Sequence, residues 1–396
     1  MNIFKVPAAE IDKRRIRIQQ ELKKNGIDGL LTVQRAGLFY FSGTAQNGYL
    51  FLPAEGEPLL CIKRYLPRAR EESSLRNIVE IRSIKEVPER IVDACGRLPE
   101  VLGLEFDVLP VREFNYFRTL FSACELVDGS EPLLNVRKIK SPWEIRQMER
   151  TAELSRKTFE YMQTVIRPGI TKMEFTGMYE THARILGHGG MRRTRHFQTE
   201  VYTRHAPSGK NSGHVGLIDS LFNGDRDFAA FPGSDSTPLA PDEPIPVNFG
   251  AVLNGYHMDE TRMFAIGSMP DKARSACGAA IEIHNAVIEH AKPGTTAGAL
   301  FDHSMAVAES LGYAGTHPRP RGSGISFVGH GIGVELIESP FIASGKSVRL
   351  EPGMAFALAS KLCFENKYTA EIKSVFLVTE KGARLISTVP AETFIC

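Results

Sequence analysis

An Asn-Gly dipeptide between two apolar segments brings together two side chains that could share a chemical site. Asn254-Gly255 is a strong signal for a type I′ hairpin, because both central residues of that turn need positive φ. If these residues form the turn, residue 250 pairs with residue 259 and residue 248 with residue 261. Asn248 and Asp259 then lie diagonally on one face, close enough to act together. The alternative is that Asn248 is only a polar residue near a strand end.

A histidine between glycines is the second candidate. His330 stands in the segment GHGIG, whose glycines allow close approach of the backbone and favour a tight, exposed turn. An imidazole in such a turn can act as a general acid or base near neutral pH. Glu335 and Glu338 follow within the same segment and could assist it. A purely structural histidine is the alternative.

Lys373 is the third candidate. It precedes Val375 by two residues and Leu377 by four, so in a strand it shares their face. An ammonium group on an apolar face is strongly unfavourable unless it is paired with an anion. Lys373 therefore either has a buried carboxylate partner or faces outward from an edge strand.

The segment Gly187–Gly216 is rich in histidine and arginine. Its histidines are spaced too widely for a compact metal motif. Arginine binds carboxylate or phosphate groups through two parallel hydrogen bonds. Arg195 and His196 are therefore predicted to bind an anionic part of a substrate, with a polar loop over the site as the alternative.

Four segments give the chain a recognisable family resemblance. They read PVNFGAVLNGYHMDETRMF, FVGHGIGVELIESP, LEPGMAFALASK and TAEIKSVFLVTEKG. In order and spacing they resemble the metal-binding segments of the creatinase/aminopeptidase P/methionine aminopeptidase superfamily, which has the pita-bread fold. GIDGLL, YFSG and the linker VRKIKS are similar to the N-terminal domain and linker of the same superfamily. The resemblance implies an α/β (α+β) chain with a creatinase-like N-terminal domain over residues 1–135 and a pita-bread domain over residues 136–396.

The resemblance also implies a degraded metal site. Members typically hold two divalent ions with two Asp, one His and two Glu, and the corresponding positions here are Asn248, Asp259, His330, Ala359 and Lys373. An amide is a weak ligand for a hard cation, alanine has no donor, and an ammonium group repels the ion. We therefore expect no bound metal and no cofactor. Family geometry would pair Lys373 with Asp259, so that the ammonium replaces the charge of the metal.

Three functions remain open at this point. The first is a metal-independent, creatinase-like hydrolase or lyase that acts on a C–N bond of a small molecule. The second is a catalytically silent binding or regulatory protein, and the third is a metallopeptidase of the Xaa-Pro dipeptidase or aminopeptidase type. Ile337 disfavours the third, because aminopeptidases of the family often carry a peptide-contacting histidine there. The first interpretation assigns catalytic roles to His330, Asp259, Glu338 and Lys373, and substrate-binding roles to Asn248, Arg195 and His196.

Composition limits the partners and the compartment. A chain of 396 residues can form two domains, and 42% hydrophobic with 24% charged residues is typical of a soluble globular protein. A net charge of +2 argues against nucleic acid or an anionic membrane as partner. Six scattered cysteines without a CxxC pair favour a reducing compartment, and neither a signal peptide nor a membrane span is recognisable. We expect a cytoplasmic protein with a small-molecule or dipeptide-like substrate, and the resemblance implies a homodimer.

Local patterns predict the elements around the linker. Apolar residues at helical spacing predict helices over residues 11–25 and 136–165, the latter with Ser141 as N-cap and Pro142 in its first turn. Short apolar segments predict strands at 29–33, 49–52 and 59–62. Strands that alternate with helices up to residue 134 indicate an α/β domain, which places the domain boundary near residue 135.

Overall fold

The computed structural model describes residues 4–195, 237–318 and 327–396. The chain divides into two compact units, Met1–Arg137 and Lys138–Cys396. Among the described residues, no helix combines the length and the apolar character that crossing a membrane requires.

The first unit is an α/β unit with one mixed sheet. Its helices and strands are α1 Ala8–Lys24, β1 Gly29–Thr32, α2 Arg35–Ser42, β2 Gly48–Pro53, β3 Leu59–Ile62, α3 Leu66–Glu72, β4 Asn77–Glu80, α4 Val87–Cys95, β5 Val101–Leu104, α5 Val111–Leu120, β6 Glu125–Asp128 and α6 Ser130–Lys138. The strand order is β4-β3-β2-β1-β5-β6. β2 runs antiparallel to β1 and β3, whereas β4, β5 and β6 each pair in parallel with a neighbour.

A buried carboxylate fixes the start of α2 in this unit. Glu105 is fully buried, and its Oε2 accepts hydrogen bonds from Thr32 Oγ1 at 2.7 Å, Val33 N at 2.9 Å and Gln34 N at 3.1 Å. Charge-assisted bonds of this kind satisfy backbone donors that the strand end and the helix start leave open. They anchor the end of β1 to the residue that follows β5.

The second unit contains the remaining elements. They are α7 Pro142–Val165, α8 Lys172–Ile185, β7 Ile245–Leu253, β8 Tyr256–Ala265, α9 Asp271–His290, α10 Ala297–Ser310, β9 Phe327–Gly331, β10 Glu338–Ala343, β11 Ala355–Phe364, β12 Tyr368–Thr379, β13 Gly382–Leu385 and β14 Thr393–Ile395. The main path of its sheet is β10-β9-β11-β12-β8-β14, with β7 paired to β8 and β13 paired to β12.

The helix predicted over residues 136–165 is shorter than expected. α7 begins at Pro142, and residues 136–138 belong to α6 instead. Ser141 is the N-cap of α7: its side chain accepts a hydrogen bond from Glu144 N at 3.2 Å, and its own N–H donates to Glu144 Oε2 at 3.0 Å. This reciprocal capping box places the helix start at the predicted N-cap, six residues after the predicted boundary.

Alternation along β11 and β12 separates a helix-covered face from a polar face. Phe356 and Leu358 of β11 and Phe376 of β12 pack in one cluster with Val287 of α9 and Leu300 of α10. Successive side chains of a strand point to opposite faces. The odd-numbered residues of both strands therefore point away from these helices.

The hairpin between β7 and β8 forms in the predicted register. Asn254 has φ 53° and Gly255 has φ 83°, as a type I′ turn needs. Residue 250 pairs with 259 and residue 248 with 261, which confirms the prediction. The face of the hairpin opposite Asn248 and Asp259 packs on α7. There, the ring centroid of Phe159 lies 6.4 Å from that of Phe249 and 6.3 Å from that of Phe264.

Candidate functional site

Strand registers bring the five predicted positions onto one face of the sheet. Ala359 lies opposite Lys373 on β11 and β12, and Thr261 of β8 lies opposite both Lys373 and Asn248. His330 of β9 lies opposite Ala357, two residues before Ala359 on the same face. The five positions were grouped only by their resemblance to the family. In the structure they are neighbours on β7, β8, β12, β11 and β9.

Asp259 is the centre of this group. Its Oδ2 accepts a hydrogen bond from Lys373 Nζ at 3.0 Å, and His330 Nε2 lies 3.6 Å from the same oxygen. Asn248 Nδ2 donates to the other oxygen, Oδ1, at 2.9 Å. The Asp259 side chain is 6% exposed and that of Lys373 is 18% exposed. The ion pair expected from the family geometry is thus present and largely buried.

The electrostatics keep both partners of this pair ionised at neutral pH. Burial alone would raise the pKa of Asp259, but the charge of Lys373, the nearby His330 and the hydrogen bond from Asn248 hold it well below its usual range. Burial alone would lower the pKa of Lys373, but Asp259 and Glu371 raise it overall. The ammonium group therefore carries a permanent positive charge against the Asp259 carboxylate.

A second buried ion pair continues the polar network. Asn248 Nδ2 also donates to Thr261 Oγ1 at 3.1 Å, and Thr261 Oγ1 donates to Glu371 Oε1 at 3.1 Å. Lys361 Nζ lies 3.0 Å from Glu371 Oε2. Burial lowers the pKa of Lys361 more than Glu371 raises it. Sequence reasoning missed Lys361 and Glu371, although each lies two residues from a named site position and so shares its face.

Arg192 is a further cation at the site that sequence reasoning did not assign. A Cβ atom added to Gly250 would lie 2.5 Å from Arg192 Cδ and 2.8 Å from its Nη1. That Cβ would point to the same face as Asn248, two residues earlier, and Gly250 pairs directly with Asp259. Arg192 therefore lies on the site face, in space that the glycine leaves open. Burial lowers its pKa and the Asp259 charge raises it. The sequence feature that could have indicated this is Gly250, which pairs with Asp259 and leaves space for another side chain at the site.

His330 lies in strand β9 and is buried, so the prediction of a tight, exposed turn is wrong: its backbone pairs with β11 and β10 instead. These surroundings fix which nitrogen faces Asp259. Nδ1–H donates to the Gly331 carbonyl at 2.9 Å, so Nε2 is the nitrogen that faces the carboxylate and can exchange a proton. Glu338 pairs with Gly331 in the neighbouring strand. Its Oε2 accepts from Lys140 Nζ at 3.1 Å and its Oε1 from Glu335 N at 3.1 Å. These contacts make Glu338 a support of the strand beside His330.

A buried histidine attaches the segment that carries Arg192 to the turn after His330. Arg193 N donates to His257 Nε2 at 3.2 Å, and His257 Nδ1–H donates to the Gly333 carbonyl at 3.0 Å. Burial lowers the pKa of His257 to about 4, so the ring is neutral and can donate and accept at once. Leu336 N donates to the Arg193 carbonyl at 2.6 Å. Arg193, the residue after Arg192, is therefore fixed through both its N–H and its carbonyl group.

The two residues predicted to bind an anionic group are only partly described. Arg195 is half-buried at the end of the segment that begins with Arg192, after the bridge between Thr194 and Ile337. His196, with the histidine- and arginine-rich residues that follow it to 216, lies outside the described residues. Of the basic residues in this segment, the geometry places Arg192 at the site.

The opposite face of β8 carries a fully buried carboxyl group. Glu260 is 0% exposed, and burial raises its pKa although Arg262, Ser155 and Ser387 act in the other direction. A group whose pKa is raised by folding favours the folded state at pH below its unfolded value near 4. That contribution is lost as the pH rises through the folded pKa.

We expect Glu260→Gln to stabilise the protein at pH 8 by about 1–3 kcal/mol, because the amide removes the need to bury a charge or retain a proton. Denaturant unfolding at pH 5 and pH 8 measures it, and the gain should be larger at pH 8. Glu282→Gln, on the exposed face of α9, is the control and should change little. A Glu260→Gln protein less stable than its parent at pH 8 would contradict this account.

Comparison with known proteins gives the family. Residues 146–380 match metallopeptidase family M24. The chain belongs to metallopeptidase family M24. Residues 14–139 match the creatinase/prolidase N-terminal domain, so both parts of the resemblance seen in the sequence are confirmed.

Relatives match over nearly the whole chain. An uncharacterised peptidase of Bacillus subtilis is 25% identical over 93% of this chain and 96% of its own length. The Xaa-Pro dipeptidase of Pyrococcus furiosus is 23% identical over 94% and 96%. The solved structure of an Xaa-Pro dipeptidase from Bacillus anthracis has a TM-score of 0.83 at 22% identity, covering 98% of this chain and all of its own. These relatives indicate a hydrolase close to the Xaa-Pro dipeptidases and do not support a creatinase-like activity.

The residues present do not fit the metal ions that the family name implies. Within the described ranges, no group of three or more His, Cys, Asp or Glu side chains is arranged to hold a metal. The position opposite Ala359 carries Lys373, whose ammonium group already binds Asp259 Oδ2. Hard divalent ions require several carboxylate oxygens. The residues described at this centre therefore do not fit a divalent ion, and the ammonium group of Lys373 lies among them.

Proposed function

We propose that this protein hydrolyses the amide bond of a dipeptide-like small molecule without a metal ion. The observation that carries the proposal is the convergence of Lys373 Nζ and His330 Nε2 on one oxygen of Asp259, at 3.0 Å and 3.6 Å. A proton acceptor and a fixed cation thus lie side by side in a largely buried site. The relatives supply the substrate class, since those named above are peptidases or Xaa-Pro dipeptidases.

The chemistry uses groups already on the site face. His330 Nε2 accepts a proton from a water molecule, whose oxygen attacks the amide carbon. Asp259, whose Oδ2 lies 3.6 Å from Nε2, stabilises the imidazolium ion through its negative charge, and the Gly331 carbonyl holds the Nδ1–H. The Lys373 ammonium stabilises the negative charge that develops on the carbonyl oxygen. The imidazolium ion then returns its proton to the leaving nitrogen, the C–N bond breaks, and the products are an acid and an amine.

The same ion pair favours one other function. Because Asp259 already neutralises much of the charge on Lys373, the ammonium is a weaker electrophile than a divalent ion. A protein with this site could bind a dipeptide and not cleave it. If this protein binds a dipeptide without turnover, it is a catalytically silent member of the family.

Roles of the remaining residues are part of the proposal. Asn248 orients Asp259 through the bond to Oδ1, and Glu338 with Lys140 supports the strand that carries His330. We also propose a cytoplasmic homodimer, with two domains divided near residue 135. All six cysteines are free, which is consistent with a reducing compartment. Light scattering on the purified chain tests the dimer.

Hydrolysis should depend on His330. After treatment with a chelator, the parent protein should still release the C-terminal amino acid from Xaa-Pro dipeptides, starting with Ala-Pro. His330→Ala should reduce turnover by about 10²–10⁴-fold, because no metal-bound water can replace the base. His290→Ala, at the exposed end of α9, is the control and should retain parental turnover. Release of proline measures both.

Three results would reject this proposal, each in a different way. Full turnover in His330→Ala would remove the histidine from the mechanism. Turnover that appears only after Mn or Co is added would support the metallopeptidase interpretation. Tight binding of Ala-Pro without any release of proline would support the silent one.

A further inference from the structure

The position of Arg192 suggests a role that the hydrolytic mechanism does not use. Its guanidinium lies against Gly250, and Gly250 pairs directly with Asp259. Asp259 also binds Lys373. Arg192 and Lys373 are therefore both on the site face, Lys373 bound to this carboxylate and Arg192 beside the glycine that pairs with it.

The spacing of charges in a dipeptide corresponds to this arrangement. The scissile carbonyl and the C-terminal carboxylate of a dipeptide are separated by the leaving nitrogen and one Cα atom. If Lys373 is beside the carbonyl oxygen, a second cation close to it can bind the carboxylate. A guanidinium group suits that role better than an ammonium, because its planar fork forms two parallel bonds to the two oxygens.

We propose that Arg192 recognises the free carboxylate of the leaving residue and so restricts the substrate to dipeptides. This inference rests on the proposed function, since it takes the scissile bond to lie beside Lys373. It makes Arg192 a specificity-determining residue, distinct from the proton-transfer role of His330.

The fold holds Arg192 in place for this role. Arg193, the next residue, is attached to His257 through its N–H and to Leu336 through its carbonyl. Gly250 leaves the space that the side chain fills, because any Cβ there would lie within 3 Å of the Arg192 side chain. A side chain that starts beside a fixed residue and packs against a β-strand loses less conformational freedom on binding a ligand than a solvated one does.

The test compares Ala-Pro with Ala-Pro amide, which lacks the negative charge. Binding of both is measured by calorimetry on the His330→Ala protein, so that no substrate is consumed. We expect Ala-Pro to bind about tenfold or more tightly than the amide, as loss of a charged hydrogen-bonded partner implies. Adding Arg192→Gln should remove this preference, and adding Arg192→Lys should restore part of it. Arg274→Gln, an exposed residue of α9, is the control and should leave the preference unchanged.

Gly250→Ala provides an independent variant that keeps the arginine. Its methyl group would displace Arg192 from the site face, so the preference for the free carboxylate should fall although the charge is retained. This variant also answers the question if Arg192→Gln does not fold. The melting temperature of each protein shows whether it is folded.

The outcomes separate this inference from the proposed function. Equal binding of Ala-Pro and its amide to the His330→Ala protein would overturn the role of Arg192, even if the parent hydrolyses dipeptides. A preference that survives both Arg192→Gln and Gly250→Ala would also overturn it. If the parent protein shows no turnover but the preference for Ala-Pro over its amide still depends on Arg192, the role of Arg192 is supported. In that case only the hydrolytic function is rejected. Failure to bind either ligand would overturn both.

Discussion

Replacing Asp259 by Asn should lower the free energy of unfolding by about 3–5 kcal/mol, because it leaves the ammonium of Lys373 in a largely buried site without its anion. The Asp259 side chain is 6% exposed and accepts bonds from both Lys373 and Asn248. Denaturant unfolding at neutral pH measures the loss. In the double variant Asp259→Asn with Lys373→Met, the charge is removed with its partner, and most of the stability should return.

A surface ion pair provides the matched control for this prediction. Glu149 and Arg384 approach to 2.7 Å, but their side chains are 42% and 44% exposed. Glu149→Gln should therefore change the free energy of unfolding by less than about 1 kcal/mol. A loss for Asp259→Asn as small as that would show that Lys373 is well solvated in the folded protein.

The ion pair between Asp259 and Lys373 should also affect how the stability of the protein changes at acidic pH. Folding lowers the pKa of Asp259, so its contribution is fully present above the unfolded value near 4 and is lost as the pH falls towards the folded value. Between about pH 5 and pH 2, the parent should lose stability more steeply than the Asp259→Asn variant. Parallel curves for the two proteins would contradict the ionised pair.

Local chemistry made the hairpin and its site residues predictable from the sequence. Asn254-Gly255 determines the turn and, through it, the register that puts Asn248 beside Asp259. The position of Lys373 followed from strand alternation, and its partner from the family geometry. The hairpin register and the facing of Lys373 depend on a few neighbouring residues, and the partner of Lys373 depends on a known fold.

Contacts between distant segments were not predictable in the same way. Arg192 reaches the site because its segment pairs with residues 336–337 and with His257, and no spacing in the sequence indicates that pairing. Glu338 looked like a partner of His330, but the structure pairs it with Lys140, which is almost 200 residues earlier in the chain. Such pairs depend on how distant helices and strands pack. A single sequence gives the identities of the two residues but does not indicate that they are in contact.

Three substitutions should create a metal centre in this chain if the five positions correspond to the ligands of the family. Asn248→Asp, Ala359→Glu and Lys373→Glu together would add three carboxylates to the retained Asp259 and His330. Ala359 and Lys373 lie directly opposite each other, and Asn248 Nδ2 is 2.9 Å from Asp259 Oδ1, so the five side chains would share one site. Four clustered carboxylates repel one another until a dication neutralises them.

The triple variant should therefore melt at a lower temperature than the parent without metal and should gain stability when Mn or Co is added. A ligand that binds only the folded state stabilises it by about 2.7 kcal/mol at one hundred times its dissociation constant. Thermal melting with and without metal measures the gain. Lys373→Gln in place of Lys373→Glu is the control and should respond less. A metal-induced shift in the parent, or none in the triple variant, would show that these residues are not the five ligand positions.

Arg192 adds a further expectation to this experiment. Its guanidinium lies on the site face beside Asp259, where it would partly neutralise the rebuilt carboxylates and compete with the added ion. Adding Arg192→Gln to the triple variant should therefore lower the melting temperature without metal and enlarge the shift with Mn or Co. An unchanged shift would place the guanidinium too far from the centre to compete. Lys373 and Arg192 would then act separately, because only Lys373 would occupy the position that the added ion takes.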